Sequence, residues 1–401
     1  MVATLTRLLG PRHLSLAEDA VQDALVTAMQ QWPFRGVPEH PEAWLFQVAR
    51  NRAFDRLRHN KIALAKEPAI KRDMADAQSP VPDPLLKDEL PALHDDQLGL
   101  LFLTCHPSLP GDARVALALK LVCGFSVAEI ARAFLLQETT IAQRLVRAKR
   151  SLRDDDVGFG MPEPGELSLR LGSVVDALYL MFNEGYAATS GEQLVRDDVA
   201  FEAIRLTRMV AAHPATAGPR VSALLSLMLL HAARFPARSD ATGTVFLLRD
   251  QDRSKWDRAL IAEGLQALDR SAAGDAISAE HLEAGIAACH AAAPSWESTD
   301  WPQIVELYDE LLAMTRSPVV AVSRAVAISR LDGALSGLAA LDAIENAAAL
   351  ERYALLPAIR AELWREAGDL ERAAASYREA LGLARSSPEQ RWLTSRLSLL
   401  V

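Results

Sequence analysis

The chain holds only three cysteines, Cys105, Cys123 and Cys289, too far apart for a disulfide framework and without the CxxC pairs of a zinc site. Cys105 is followed by His106, but one thiol and one imidazole give two ligands at most, so the expectation is a buried thiol and no metal. Unbroken apolar runs of the roughly 20 residues that a membrane span needs are missing. The N-terminus also lacks the charged and apolar regions of a signal peptide. These absences predict a cytoplasmic protein with no membrane partner. Aromatics make up only 6% of the residues, within the range of a soluble globular chain. Alternating β-branched runs are scarce, which removes the usual material of sheets.

What is present is alanine, leucine and arginine, with apolar residues recurring every three or four positions, so the expected class is all-α. Hydrophobic residues are 50% of the chain and charged ones 24%, a composition that folds throughout. At 401 residues it exceeds one ordinary core. Two joints divide it. Residues 62–91 carry Pro80, Pro82 and Pro84 between charged clusters, and residues 154–165 read DDDVGFGMPEPG. The expected parts are therefore a first module at 1–61, a linker at 62–91, a second module at 92–155 and a helical extension at 165–401. The net charge of -9 looks wrong for a partner of nucleic acid, whose phosphates demand cations. Its distribution corrects that impression: residues 1–156 hold 20 basic and 20 acidic side chains, and residues 157–401 hold 23 and 32.

In the second module, Ser126 with Glu129 three residues on has the form of a capping box. Ile130, Ala131 and Phe134 then make one apolar face. After a turn at Leu136 and Gln137, a second helix turns Ile141, Leu145 and Ala148 inward. Thr139, Thr140, Gln143, Arg144, Arg147, Lys149 and Arg150 are left outside. A helix that enters a major groove needs this division between packing side chains and base-edge donors. The bland alternative is an amphipathic helix with a solvated basic face. The stretch FSVAEIARAF followed by ETTIAQRLVRAKRSLR resembles region 4 of extracytoplasmic-function (ECF) sigma factors. That resemblance implies that Thr140, Arg144, Arg147 and Lys149 contact the minus-thirty-five promoter element.

The first module begins with AEDAVQDALVTAMQQW, in which Val21, Ala24, Leu25 and Met29 fall on one face and Glu18, Asp19, Gln22 and Asp23 around the other. The loop WPFRGVPEHP follows, and then a helix in which Trp44, Leu45, Val48, Ala49, Ala53 and Leu57 repeat while Arg50, Arg52, Arg56 and Arg58 crowd the rest. Trp32 and Trp44 sit at apolar positions and read as core. The words EDAVQDAL, FRG, WL and ARNRAFDRLR are similar in order and spacing to sigma region 2. The resemblance implies that Glu18, Asp19, Gln22 and Asp23 dock on core RNA polymerase. It also implies that Phe34, Arg35 and Gly36 open a loop reaching Glu42 that holds a minus-ten base, and that Arg50, Asn51, Arg52, Arg56 and Arg58 line the melted strand of promoter DNA. Opening a promoter requires an unstacked base and a cationic track, not a catalytic group. The alternative for the loop is a plain connection between helices. In the family, some residues of the first helix precede the point matching Ala3.

The extension opens with DALYLMFNEGYAATSGEQL, which resembles the start of a TPR-like domain found in a subgroup of ECF factors. Asn183, Glu184, Gly185 and Tyr186 are read as a ligand site, as a clasp on the sigma core, or as a helix end closed by Gly185. Residues 354–387 carry Ala361, Trp364, Ala373, Tyr377 and Ala380 at the packing positions of a TPR-type repeat of about 34 residues, with a weaker echo at 302–345. Such stacks leave a groove for a protein or peptide partner. His213, His231 and His290 lie among alanines and leucines and read as core or surface. With no nucleophile–base set, metal-spaced cluster or phosphate loop, the expectation is no catalysis and no cofactor. A rival reading is a helix-turn-helix regulator that senses a ligand or protein through the extension.

Overall fold

The computed structural model describes residues 1–64, 90–134, 136–186, 196–240, 246–274, 276–344, 350, 353, 355–384 and 387–400. Most of the expected linker, 65–89, lies outside them. Among the described residues the chain is all-α and contains no strand. Contacts gather it into two compact units, one of residues 1–132 and 136–177, the other of residues 133–135 and 178–401.

The first unit is built from α1 (Val2–Leu9), α2 (Leu14–Arg35), α3 (Pro41–Leu64), α4 (Leu90–Thr104), α5 (Gly111–Leu121), most of α6 (Val127–Phe134), α7 (Glu138–Asp154) and the beginning of α8 (Pro164–Tyr186). The α2–α3 seam is made of small residues: Ala17, Ala20, Ala24, Ala49 and Ala53 are buried together with Leu5 and Val21. Small side chains let the two backbones approach closely. Leu25 and Met29, expected inward, are exposed, Met29 at 76%. The reason is helical geometry: each step of four residues from Val21 rotates about 40° out of the seam. α2 also runs through Pro33. Because Pro33 stands in the last turn, it removes only one bond of the ladder, and the chain leaves at Gly36 with φ 80°.

α4, α5 and α7 share a denser core in which Leu98, Leu101, Phe102, Val115, Leu119, Ile141, Leu145 and Leu152 are buried. Each such Leu or Phe contributes about 1.5–3 kcal/mol. α1 joins the layers, with Arg7 Nε 2.7 Å from Asp96 Oδ1 on α4. The segment after α7 also packs here. A Cβ on Gly99 would stand 3.0 Å from Gly160 Cα, so α4 and this segment touch backbone to backbone. Arg170 on α8 donates from Nη2 to the Phe102 carbonyl at 3.2 Å. That carbonyl lies in the last turn of α4, where no intrahelical donor reaches it, and a cation suits the negative end of the helix.

The second unit continues with α9 (Asp197–Ala212), α10 (Pro219–Ala232), α11 (Phe235–Arg238), α12 (Arg258–Ser271), α13 (Ala279–Ala292), α14 (Trp301–Thr315), α15 (Pro318–Asp332), α16 (Ala334–Asp342), α17 (Leu355–Glu366), α18 (Leu370–Leu383) and α19 (Ser387–Ser398). α10 is apolar nearly all round and is buried from Val221 to Leu230, with α9, α12 and α13 packed on it. From α13 onward, neighbours in sequence pack on one another as successive pairs. In the pair α17–α18, Ala361, Ala373, Tyr377 and Ala380 are completely buried and Trp364 borders them. Gly185 does not close α8. It is helical, and a Cβ there would stand 2.5 Å from Ala200 N, so α8 and α9 meet at a point that has no room for a side chain.

One carboxyl in this unit is set for pH dependence. Burial pushes Glu283 up to about 7, partly offset by the Tyr179 hydroxyl donating to its Oε1 at 3.2 Å. A folded pKa above the unfolded one contributes stability below the unfolded pKa and loses it as pH rises toward 7. The unfolding temperature of the wild type should therefore fall between pH 5 and pH 8 more steeply than that of Glu283→Gln. Parallel pH profiles for the two proteins would refute the assignment.

Candidate nucleic-acid interface

α7 displays its side chains in the division read from the sequence. Ile141, Leu145 and Ala148 are buried, and Thr139, Gln143, Arg147 and Arg150 are exposed. α6 before it is closed by the expected capping box: Glu129 N donates to Ser126 Oγ at 3.1 Å and Ser126 N to Glu129 Oε2 at 2.7 Å. Thr139, Gln143 and Arg147 recur every fourth residue and so form one row on the surface. Among the described residues Arg147 hydrogen-bonds only within its own helix, Nε lying 3.4 Å from the Gln143 carbonyl. Thr140 is half-buried.

Two cations placed outside by the sequence are not free. Arg144 lies 2.9 Å from Asp112 Oδ2, at the start of α5, and its side chain is only 19% exposed. Lys149 donates to Glu18 Oε2 on α2. Lys120 from α5 approaches the other oxygen of the same carboxylate at 3.4 Å. Glu18, placed on the outer face of α2 by periodicity, is consequently buried. A carboxylate can enter this interior because two ammonium groups meet it there.

The other acidic residues of α2 are spent on α3. Arg56 reaches Asp23 at 2.6 Å and Asp19 at 3.5 Å, and Arg52 reaches Asp23 at 3.6 Å and donates to Thr27 Oγ1 at 2.9 Å. Residues assigned to opposite tasks, docking and strand guidance, thus neutralise one another across the α2–α3 seam. Gln22 is exposed and Glu18 is not. Arg50, Asn51 and Arg58 remain on the surface. Arg50 lies 6.0 Å from the Phe54 ring, Asn51 accepts from Gln47 at 3.4 Å, and Arg58 pairs with Asp55 at 3.6 Å.

The expected pocket loop is shorter than the sequence indicated. Phe34 and Arg35 form the end of α2, Glu42 belongs to α3, and Gly36–His40 is the connection. Phe34 is 89% exposed beside the positive-φ Gly36. An open aromatic face next to the exposed Arg35 is the arrangement on which an unstacked base can rest. Trp32 and Trp44 pack on each other at 5.6 Å between centroids, half-buried, and are not available for that.

Sequence reasoning missed Lys120 and Asp112. Lys120 had a faint signal as a lone cation in the apolar run VALALKL, while Asp112 had none. In the second unit, Asn183 faces solvent and Glu184 is half-buried, its carboxyl raised by burial. Gly185 serves helix packing, and Tyr186 stacks on Phe182 at 5.9 Å. Cys105 is buried and its thiol is pushed up to about 12 by burial. Among the described residues no group of three metal-ligating side chains occurs, and no helix is long and apolar enough to cross a membrane.

Comparison with known proteins gives three family matches. Residues 1–62 match sigma-70 region 2, residues 99–152 match sigma-70 region 4, and residues 170–272 match a family of unknown function, DUF6596. An uncharacterized protein of Rhizobium meliloti strain 1021 is 37% identical over 392 residues, covering 97% of this chain and 91% of that protein. A probable RNA polymerase sigma factor, RfaY, of Xanthomonas campestris pv. campestris is 28% identical over 145 residues, 36% of this chain and 35% of that relative. No solved structure matches.

Proposed function

From the premise that the chain belongs to the sigma-70 family of RNA polymerase sigma factors, we propose that it is an extracytoplasmic-function factor regulated through its own helical extension. Sigma factors confer promoter choice on core polymerase and are not themselves enzymes. α7 reads the minus-thirty-five element through Thr139, Gln143 and Arg147, with Thr140, Arg144 and Lys149 added when their partners release them. Phe34, Arg35 and Gly36 receive a minus-ten base, and Arg50, Asn51, Arg52, Arg56 and Arg58 guide the displaced strand. Asp19, Gln22 and Asp23, with Glu18, dock α2 on core polymerase. The observation that carries this reading is the exposed row on α7, set behind a capped short helix and backed by three buried apolar residues.

Residues 165–401 act as a TPR-like regulatory domain that takes the place of a separate anti-sigma protein and receives a protein or peptide partner. Its acidic excess supports this assignment, since it opposes direct contact with phosphates. The factor works in the cytoplasm. In vitro transcription with purified core polymerase tests the reading. The full chain should direct new start sites, and a variant with Arg50, Arg56, Arg144 and Arg147 changed to alanine should not. No transcript, together with retarded duplex DNA in the absence of polymerase, would instead favour a conventional helix-turn-helix regulator.

A further inference from the structure

Arginines drawn wholly or partly into the second unit are treated in two different ways. Around Glu362 and Glu366, the guanidinium groups of Arg249, Arg330 and Arg365 converge on carboxylates, with Arg249 at 2.6 Å from Glu362 and Arg365 at 2.9 Å. That is the ordinary solution, since a buried charge without a counter-charge is costly. At the end of α10 the same unit gathers three arginines, Arg234, Arg238 and Arg253, and among the described residues none of them forms an ion pair. Asp197 and Glu297 act on Arg238 and Arg253 only through space.

The three arginines are instead held by aromatic rings, a hydroxyl and carbonyls. Arg234 Nη2 donates to the Tyr186 hydroxyl at 2.9 Å and to His231 Nδ1. The Arg238 guanidinium lies 3.9 Å from the centroid of the Tyr186 ring and donates to the Tyr186 carbonyl. Arg253 covers the Trp256 ring at 4.6 Å and donates to the His290 carbonyl at 2.6 Å. His231 stands edge-on to Tyr186 at 4.8 Å. Hydrogen-bonding capacity is left over: Arg253 Nη2, Trp256 Nε1 and His290 Nδ1 are buried and meet no partner among the described residues. Two of these are obligate donors, and a buried donor without an acceptor is costly.

The field has a measurable sign. Burial alone would push the Tyr186 hydroxyl up, yet Arg234 and Arg238 hold it below its ordinary value. Burial and the same two arginines keep His231 well below its ordinary range, and burial with Arg234 and Arg253 brings His290 down to about 3. The place disfavours further positive charge and favours negative charge, even on a phenol. Tyr186 and Arg238 each keep a minor part of their surface exposed, so the cluster is not fully sealed.

We propose that Tyr186, His231, Arg234, Arg238, Arg253 and His290 form a binding site for a small oxyanion ligand, a phosphate- or carboxylate-headed molecule whose charged end sits among the arginines. Planar guanidinium forks present paired donors that match such groups. Phe235, partly exposed and 6.1 Å from the Tyr186 ring, offers an apolar rest for the body of the ligand. The site lies in the extension and is independent of how the first unit engages polymerase.

The test uses the full chain at constant ionic strength, titrated by calorimetry with inorganic phosphate, pyrophosphate, citrate or malonate, with chloride as the reference. At least one oxyanion should bind saturably and raise the unfolding temperature above the chloride control, and preference between the phosphate and carboxylate arms identifies the headgroup. Arg238→Gln should weaken that binding tenfold or more, Arg238→Lys should weaken it less, and Arg208→Gln on the outer face of α9 should leave it unchanged. Should the Arg238 variants fail to fold, arginine-selective phenylglyoxal labelling of the wild type decides: the oxyanion should slow labelling of Arg238 and not of Arg208. Binding no better than chloride for all four probes, or protection spread evenly over both arginines, would overturn the proposal.

Discussion

Replacing Glu18 with glutamine should lower the unfolding free energy by about 3 kcal/mol, an effect large for one uncharged, nearly isosteric change. The carboxylate stands between Lys120 and Lys149, and the three side chains are 10%, 14% and 18% exposed. Without its charge, two ammonium groups remain close together with little water to separate them. Equilibrium urea unfolding of the full chain measures the loss. The double variant Glu18→Gln with Lys149→Gln should recover part of it, because one of the stranded cations is gone, and the difference from additivity should reach about 1 kcal/mol. A change below about 0.5 kcal/mol in the single variant would mean that solvent replaces the carboxylate and that the triad holds nothing together.

Arg147→Ala should do the opposite: leave folding untouched and remove promoter engagement. Arg147 is exposed and, among the described residues, bonded only to a carbonyl of its own helix, so its loss should change stability by no more than about 0.5 kcal/mol. If it meets a base edge with both arms of its fork, about 1–3 kcal/mol of discrimination goes with it, roughly fivefold to 150-fold in affinity. Titrating reconstituted holoenzyme against a promoter fragment, with the minus-thirty-five bases varied one at a time, reads the effect. Relaxed specificity at one position marks a base contact; uniform weakening and a salt slope shallower by about one mark a phosphate contact. Full activity on every sequence would remove Arg147 from the interface. The pair of variants also separates two roles on one helix, since Lys149 and Arg147 both lie on α7 and only Lys149 is tied into the interior.

What could be read in advance was local. The division of α7 into Ile141, Leu145 and Ala148 against Thr139, Gln143 and Arg147 follows from helical periodicity, which needs no knowledge of distant residues. The Ser126–Glu129 box and the buried set Ala361, Ala373, Tyr377 and Ala380 were legible for the same reason. Glu18 was misplaced because its partners are about a hundred residues away, and periodicity treats any acid as a surface residue. Leu25 and Met29 were misplaced because the true seam is alanine, so the largest apolar side chains were not the ones facing the neighbour. Gly185 looked like a helix terminator because glycine often is one, whereas here its value is the absence of a Cβ against Ala200. Phe34 was placed in a loop because proline normally ends a helix, and Pro33 came too near the end of α2 to do so.

The bond from Arg170 to the Phe102 carbonyl bears on how this chain could have been assembled from parts. The match to the family of unknown function starts at this same arginine, yet residues up to 177 belong to the first unit. Recombination that joined a foreign tail at residue 165 would deliver a reader whose α4 has lost the donor to its terminal carbonyl. A seam placed after Ala177 keeps that donor. Chimeras that exchange extensions between relatives should therefore be stable only when the first two turns of α8 travel with the promoter-reading half, so the unit of inheritance is longer than the reading module itself.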